Sequence, residues 1–270
     1  MNPIAARAKN LRGHVLRMAE KVGQGYVGQG LAIADLLAVL YFKEMRYDPA
    51  RPAWPERDRF VLSIGHYSIG LYAALAEAGV LPLEELDTYG RDGSRLEMSG
   101  SETTPGFEMT GGSLGHGLPQ AVGMALGLRL DRLDSRVFVL ISDGELQEGA
   151  TWEAAQAAAH YRLDHLFLFV DSNEQQADGP PSRIMTVEPI VDKWTAFGWD
   201  AVRVCGNDPD AISAAVTRAG SNPGRPHAIV LETVMGKGVP LFENREKNHF
   251  IRVDPGDWER ARRELEASHE

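Results

Sequence analysis

The chain has 270 residues, 43% of them hydrophobic, and a formal net charge of −10 from 38 acidic and 28 basic side chains. That length accommodates one large α/β domain or two small ones, and the acidic balance argues against nucleic acid as the main partner. The one cysteine, Cys205, excludes an internal disulfide and fits a reducing compartment; following Val202 and Val204, it is expected to be buried in packing. No apolar stretch approaches the length of a transmembrane helix.

Taken in order, the chain opens with an amphipathic helix over Asn2 to Val22, whose apolar positions Ile4, Leu11, Val15, Leu16 and Met18 recur at helical spacing. Arg7, Lys9, Arg12 and Arg17 give it a basic face. A transit peptide can look similar, but the pattern runs straight into the domain without a Ser-rich spacer, so an ordinary surface helix is expected. A glycine-rich loop, Gly23 to Gly30, precedes a strongly apolar helix over Ile33 to Phe42. After an exposed loop punctuated by Pro49, Pro52 and Pro55, a short strand, Phe60 to Leu62, leads to Ser63-Ile64-Gly65-His66, with His66 at a helix start. Residues 81–110 carry little periodicity beyond a short helix at Pro82 to Tyr89, and a long irregular segment in a compact domain is usually functional or interfacial. Gly111-Gly112-Ser113-Leu114-Gly115-His116-Gly117 then opens a helix over Leu118 to Leu130.

The centre of the chain is Ile141 to Gly179. An apolar strand, Val137 to Ile141, ends at Asp143-Gly144; a helix rich in Ala and Glu spans Gln147 to His160; a second apolar strand, Leu166 to Val170, ends at Asp171-Ser172-Asn173. Strand–helix–strand is the unit of a parallel sheet, and open α/β sheets bind ligands at the carboxyl ends of their strands. Asp143 and Asn173 are 30 residues apart (173 − 143), so parallel strands bring them side by side. A carboxylate and an amide oxygen there suit a hard divalent cation that also holds phosphate oxygens. Gly144 permits close backbone approach to an anion at a helix start. An Asp-Gly after a strand is by itself only a turn; the Asn, its spacing and the other motifs give it chemical meaning. Beyond the turn at Asp178 to Pro181 come a helix over Pro189 to Gly198, a strand over Asp200 to Val204, a helix capped by Asp208, a strand over His227 to Thr233, the loop Met235-Gly236-Lys237-Gly238-Val239-Pro240, His249 six residues after Glu243, and a charged helix from Trp258 to Glu270.

These stretches resemble the N-terminal, pyrophosphate-binding part of transketolase from about Gly25 to His249. The central unit is similar to the thiamine-diphosphate motif G-D-G, about thirty residues, then N, with Ser142 in place of the first glycine. S-x-G-H, T-G-x-L-G-x-G, G-K-G-V and E-N-x-x-x-x-H have their counterparts as quoted. The resemblance implies an α/β fold, a mostly parallel sheet flanked by helices on both faces, in one thiamine diphosphate pyrophosphate-binding domain over residues 1–270. It implies that Asp143, Asn173 and the Gln175 carbonyl bind Mg²⁺ (or Ca²⁺ or Mn²⁺). Gly144, His66 and His249 lie toward the diphosphate in that family, and Gly112 and Leu114 toward the aminopyrimidine. In that family the positions of Glu148 and Glu153 belong to an acidic network at the dimer interface, with Glu148 also counted toward the cofactor; a solvated helix face is the other reading, and Trp152 with the alanine run 154–159 favours a closely packed helix at the interface. His66 and His249 are the candidate catalytic groups, moving protons.

Two departures concern the substrate. Tyr26 stands where the family has a substrate-facing His, with packing and substrate contact both open, and the Met98-Ser99 stretch lacks a second such His. A sugar outside the usual pentose-phosphate set is implied, with the apulose-4-phosphate type favoured from the GQGYVGQG and SRLEMS stretches. His116, where Gln is frequent, either makes a local hydrogen bond or meets substrate. The glutamate that activates the aminopyrimidine lies downstream of the matched part, so a partner chain carrying the pyrimidine-binding and C-terminal domains is expected, as an α2β2 assembly in the cytoplasm. The expected reaction is two-carbon ketol transfer. The alternatives are a subunit of a 2-oxo acid decarboxylating or deoxyxylulose-phosphate synthase-like enzyme, and a non-catalytic interaction domain.

Overall fold

The computed structural model describes residues 2–243 and 245–268. Helix α1 (Pro3–Val22) begins at Asn2, whose side chain accepts the Ile4 N–H at 3.0 Å, and it ends at Gly23 with φ 74°, the left-handed stop that glycine allows. Its basic residues tie it to the body of the fold. Arg12 is fully buried against Asp35, while Arg7 pairs with Glu77 and Arg17 with Asp87.

The glycine-rich stretch is less of a loop than expected. A two-residue strand, β1 (Gln24–Gly25), is followed by helices α2 (Val27–Ala32) and α3 (Ala34–Val39) and a π turn over Leu40–Glu44. Glycine serves here for close packing. A Cβ on Gly28 would lie 2.6 Å from Met235 Cγ, and one on Gly30 2.7 Å from Ile69 Cγ2. Sequence pattern alone does not separate a packing glycine from a turn glycine.

Five strands form the main sheet: β2 (Arg59–Leu62), β3 (Val137–Ser142), β4 (Leu166–Ser172), β5 (Asp200–Cys205) and β6 (His227–Glu232), in the order β2-β3-β4-β6-β5 and all parallel. Between them run α4 (Ser68–Glu77), α5 (Gly117–Leu130), α6 (Gly149–His160), the single turn α7 (Pro181–Ile184), α8 (Ile190–Ala196) and α9 (Pro209–Gly220). Asp208 caps α9 by accepting the Asp210 and Ala211 N–H groups. The chain then adds α10 (Pro240–Glu243), β7 (Ile251–Arg252), which pairs antiparallel with β1, and α11 (Asp257–Ala267). The last two residues of the helix expected from Trp258 to Glu270 lie outside the described residues.

Strand alternation sorts the core into two layers, because successive side chains point to opposite faces. Phe138, Leu140, Phe167 and Phe169 join the cluster built with α1, α3, α4 and α9. Val139, Ile141, Leu168 and Val170 join the one built with α5, α6 and α8. Burial on both faces explains the unbroken apolar runs of β3 and β4. Cys205 corrects an expectation: it is exposed, because it ends β5, the edge strand of the sheet, where no further strand among the described residues covers it. Among the described residues no helix is long and apolar enough to cross a membrane.

Candidate active site

The β3–β4 register aligns Ser142 with Asp171, so the next residues of the two strands emerge together at the carboxyl edge. Asp143 is 2% exposed; its Oδ1 accepts the Gly144 N–H at 2.6 Å, which places Gly144 beside it in the first turn of a short 3₁₀ helix, Gly144–Gln147. Burial pushes the Asp143 carboxyl up to about 7; neighbouring Asp171 adds to this, and the backbone N–H groups of Gly144 and Glu174 partly offset it. An oxygen donor so held is short of positive charge, the condition a divalent cation relieves.

Asn173, also buried, turns its amide nitrogen inward to Asp171 Oδ2 at 2.6 Å and Tyr67 Oη at 2.9 Å. Its Oδ1 accepts the Gln175 N–H at 2.9 Å. Glu174, between them, has φ +58°. A left-handed conformation is uncommon for a residue other than glycine, and it marks a backbone held in place by its surroundings. The turn carries Gln175 back over the Asp143 end of β3, and both line one cleft of about 210 Å³.

That cleft gathers His66, Leu114, Asp143, Gly144, Glu148, Gln175 and His249, all singled out in the sequence. Asn173 and Gly112 are outside its lining; Gly112 has φ +145° and faces Ser99 Oγ. Glu148 and Glu153 are exposed. The tight packing that Trp152 and the alanine run imply is made within the chain. Trp152 packs on Trp194 and Phe197 at ring separations of 5.0 Å, and Ala154, Ala155 and Ala158 are buried.

Two of the lining side chains, His66 and His249, belong to an aromatic cluster. The rings of His66 and His249 are 5.1 Å apart, and Tyr26 packs against both at 4.8 and 5.7 Å, with Phe250 behind it at 5.1 Å. Burial lowers the His66 pKa to about 3, with His249 adding to the effect, and burial lowers His249 as well. Both imidazoles are therefore neutral near pH 7, each with one nitrogen to donate and one to accept a hydrogen bond; His249 Nδ1 is buried with no hydrogen-bond partner among the described residues. His116 takes the local option: its Nδ1 lies 3.0 Å from the Leu114 carbonyl. A second cavity of about 620 Å³ adjoins the cleft, sharing Gln175, Gln176, Ala177, Asp178 and His249.

Three further residues bonded to the predicted site stretches were not singled out in the sequence: Tyr67, Asp171 and Glu145. The Glu145 carboxylate is completely buried, and its Oε1 accepts the Ser63 hydroxyl and the Gly115 N–H (2.7 Å), while Ser63 Oγ accepts the Gly117 N–H at 2.9 Å. One side chain thus joins S-x-G-H, the glycine-rich helix start and the D-G turn. The irregular segment adds a second seam. The Gly100 N–H donates to the Gly65 carbonyl, and the Gly111 N–H to the Gly100 carbonyl, both at 3.0 Å. A Cβ on Gly65 would lie 2.4 Å from the Gly111 carbonyl carbon, so only glycine permits this approach. Tyr67 and Asp171 gave only weak signals, as a residue next to a motif His and a carboxylate at the end of an apolar strand.

The family model for the transketolase, thiamine diphosphate binding domain matches residues 5–268. This chain belongs to the transketolase family. A 6-deoxy-6-sulfo-D-fructose transketolase subunit of a Clostridium species is 44% identical to it, over 96% of this chain and 95% of the other. An apulose-4-phosphate transketolase subunit of Phocaeicola vulgatus is 36% identical, over 94% and 90%. The solved transketolase of Leishmania mexicana superimposes with a TM-score of 0.91 at 31% identity, covering 98% of this chain and 42% of that one. The chain therefore spans nearly the full length of the two subunit relatives and about two fifths of the solved transketolase. The resemblance to the transketolase family stands, as does the expected α/β fold with a parallel sheet flanked by helices.

Proposed function

We propose that this chain is the coenzyme-gripping subunit of a two-subunit transketolase, a cytoplasmic enzyme that transfers a two-carbon ketol unit from a ketose to an aldose. One observation supports it above the others: Asp143 and Gln175 line one cleft with His66 and His249 at the carboxyl edge of β3 and β4, and the buried Asn173 accepts the Gln175 N–H through its Oδ1. The donor set fits a hard cation. It consists of one carboxylate, one amide oxygen and one carbonyl, and no cluster of three or more His, Cys, Asp or Glu side chains suited to a metal exists among the described residues.

On this reading Asp143 Oδ, Asn173 Oδ1 and the Gln175 carbonyl would hold Mg²⁺, and through it the diphosphate of thiamine diphosphate. Bound thiamine diphosphate supplies the electron sink for breaking the bond beside a ketose carbonyl. The chain's own work is positioning and proton handling. Gly144 and the 3₁₀ turn bring backbone close to the diphosphate, while Gly112 and Leu114 approach the ring side. His66 and His249, neutral at pH 7, hold or pass a proton next to the reacting carbonyl. The adjoining cavity receives the sugar. The names of the two subunit relatives, and this chain's near-complete span of them, support a partner chain with the pyrimidine-binding and C-terminal domains. Exposed Glu148 and Glu153 would face it in an α2β2 assembly, with residues 1–270 as one pyrophosphate-binding domain. The names of the relatives support two donors, apulose 4-phosphate and 6-deoxy-6-sulfo-D-fructose.

The test is reconstitution. This chain and its partner, expressed separately, are expected to show no ketol transfer alone and Mg²⁺- and thiamine-diphosphate-dependent transfer when mixed, with one of the two donors preferred over xylulose 5-phosphate. Full transfer by this chain alone, or none by the mixture on any ketose, overturns the reading.

A further inference from the structure

The proposed cation site demands more of Asn173 than its presence. An amide has two faces of opposite polarity, and only the oxygen can bind a cation. The surroundings of Asn173 decide which one turns outward. Asp171 Oδ2 is 2.6 Å from Asn173 Nδ2 and also accepts the Tyr67 hydroxyl at 2.7 Å; Tyr67 Oη in turn accepts from Asn173 Nδ2 at 2.9 Å. Asp171 Oδ1 accepts the Thr233 hydroxyl. A carboxylate beside an amide enforces the amide's orientation, because a flip would set oxygen against oxygen in a buried site. Asp171 and Tyr67 are 0% and 2% exposed, so water cannot substitute for either. The three supports come from three places: Asp171 from β4, Tyr67 from the 3₁₀ turn after β2, and Thr233 just past β6. Tyr67 also meets the His66 ring edge-on at 5.0 Å, so the same side chain braces the amide and the neighbouring imidazole.

We propose that Asp171 and Tyr67 are positioning residues of the cation site, holding the Asn173 amide with its oxygen outward, with Thr233 pinning Asp171 from the far side. The inference rests on the cation site proposed above and names residues that act through Asn173. Partners of this kind, one shell behind the ligands, typically set metal affinity within one to two orders of magnitude.

The experiment uses the full chain in complex with its partner, at saturating thiamine diphosphate, and follows free Mn²⁺ by electron paramagnetic resonance. Tyr67→Phe keeps the ring and removes only the hydroxyl. It is expected to weaken Mn²⁺ binding ~10–100-fold, with coenzyme binding restored by raising Mn²⁺. Thr233→Val is expected to weaken it less, in the same direction. The decisive comparison is a double-mutant cycle. In an Asn173→Ala background, Tyr67→Phe should cost less than about twofold, since the amide it orients is gone. A purely structural role would lower affinity by the same factor in both backgrounds, and that result overturns the proposal. So does unchanged Mn²⁺ affinity in folded Tyr67→Phe protein. Absence of Mn²⁺ binding by the unsubstituted complex strikes the cation site itself, and the positioning role with it.

Discussion

Asp143→Asn is expected to abolish tight cation binding while making the cation-free protein more stable above pH 7. Asp143 is buried, its pKa is pushed up to about 7 by burial and then by Asp171, and its Oδ1 is bonded to the Gly144 N–H. The sign follows from which state binds the proton. A carboxyl whose folded pKa lies above its unfolded value holds a proton more tightly when folded, so stability falls as pH rises from about 4 to about 7. Asparagine has no charge to desolvate and keeps an oxygen for the Gly144 N–H. At pH 8 the gain should be on the order of 2–4 kcal/mol, since each pKa unit is worth about 1.4 kcal/mol. The same change removes the one carboxylate of the proposed ligand set, and Mn²⁺ affinity should fall at least ~100-fold, more than loss of a supporting residue costs. Opposite movements of stability and binding are the signature of a group kept for function against the preference of the fold. Urea melts at pH 8 without metal, together with Mn²⁺ titration, measure both. A variant that binds Mn²⁺ as before, or that is less stable at pH 8, removes this account of the site.

The elements legible in the sequence were those with strong local signals. β3 and β4 read as apolar runs because both faces of the sheet are covered, and the spacing of Asp143 and Asn173 followed from one strand–helix–strand unit. The cap at Asp208 and the helix start at His66 were equally local. Other features depend on which residues meet across the fold. Glu145 reads as one more acidic residue in a turn until Ser63 and Gly115 are seen to converge on it. Asp171 reads as a strand end until Tyr67, Asn173 and Thr233 surround it. For Tyr26 the sequence leaves packing and substrate contact open. Its ring lies against both imidazoles and outside the lining of the cleft, so in this structure it packs behind them. The exposure of Cys205 could not be read from its valine neighbours, because it depends on β5 lying at the sheet edge, a property of strand order.

Glu145→Gln should separate from the unsubstituted protein as pH rises. Glu145 Oε1 takes two hydrogen bonds, while its Oε2 is buried with no partner among the described residues. Burial pushes its pKa up to about 7; the Ser63 hydroxyl and the Gly115 and Ser142 contacts restrain that rise, and Glu148 adds to it. Below the folded pKa the side chain is a neutral acid, for which glutamine is a near match in shape. The amide oxygen can take the Ser63 and Gly115 donors, and its NH₂ falls where Oε2 was. Above pH 7 the native side chain must ionise in place, with one oxygen unpaired, and glutamine avoids that cost. Because the raised carboxyl pKa removes stability across the window from about 4.5 to 7, the two proteins should be close in urea stability at pH 5. By pH 8 the variant should be ahead by on the order of 2–3 kcal/mol. Thiamine diphosphate affinity in the complex should stay within a few-fold, since the glycine loops keep their anchor. Equal pH profiles would show that Glu145 is ionised and satisfied in the native protein. A collapse of coenzyme affinity at every pH would show that the charge itself, and not the junction it forms, holds the glycine loops over the site.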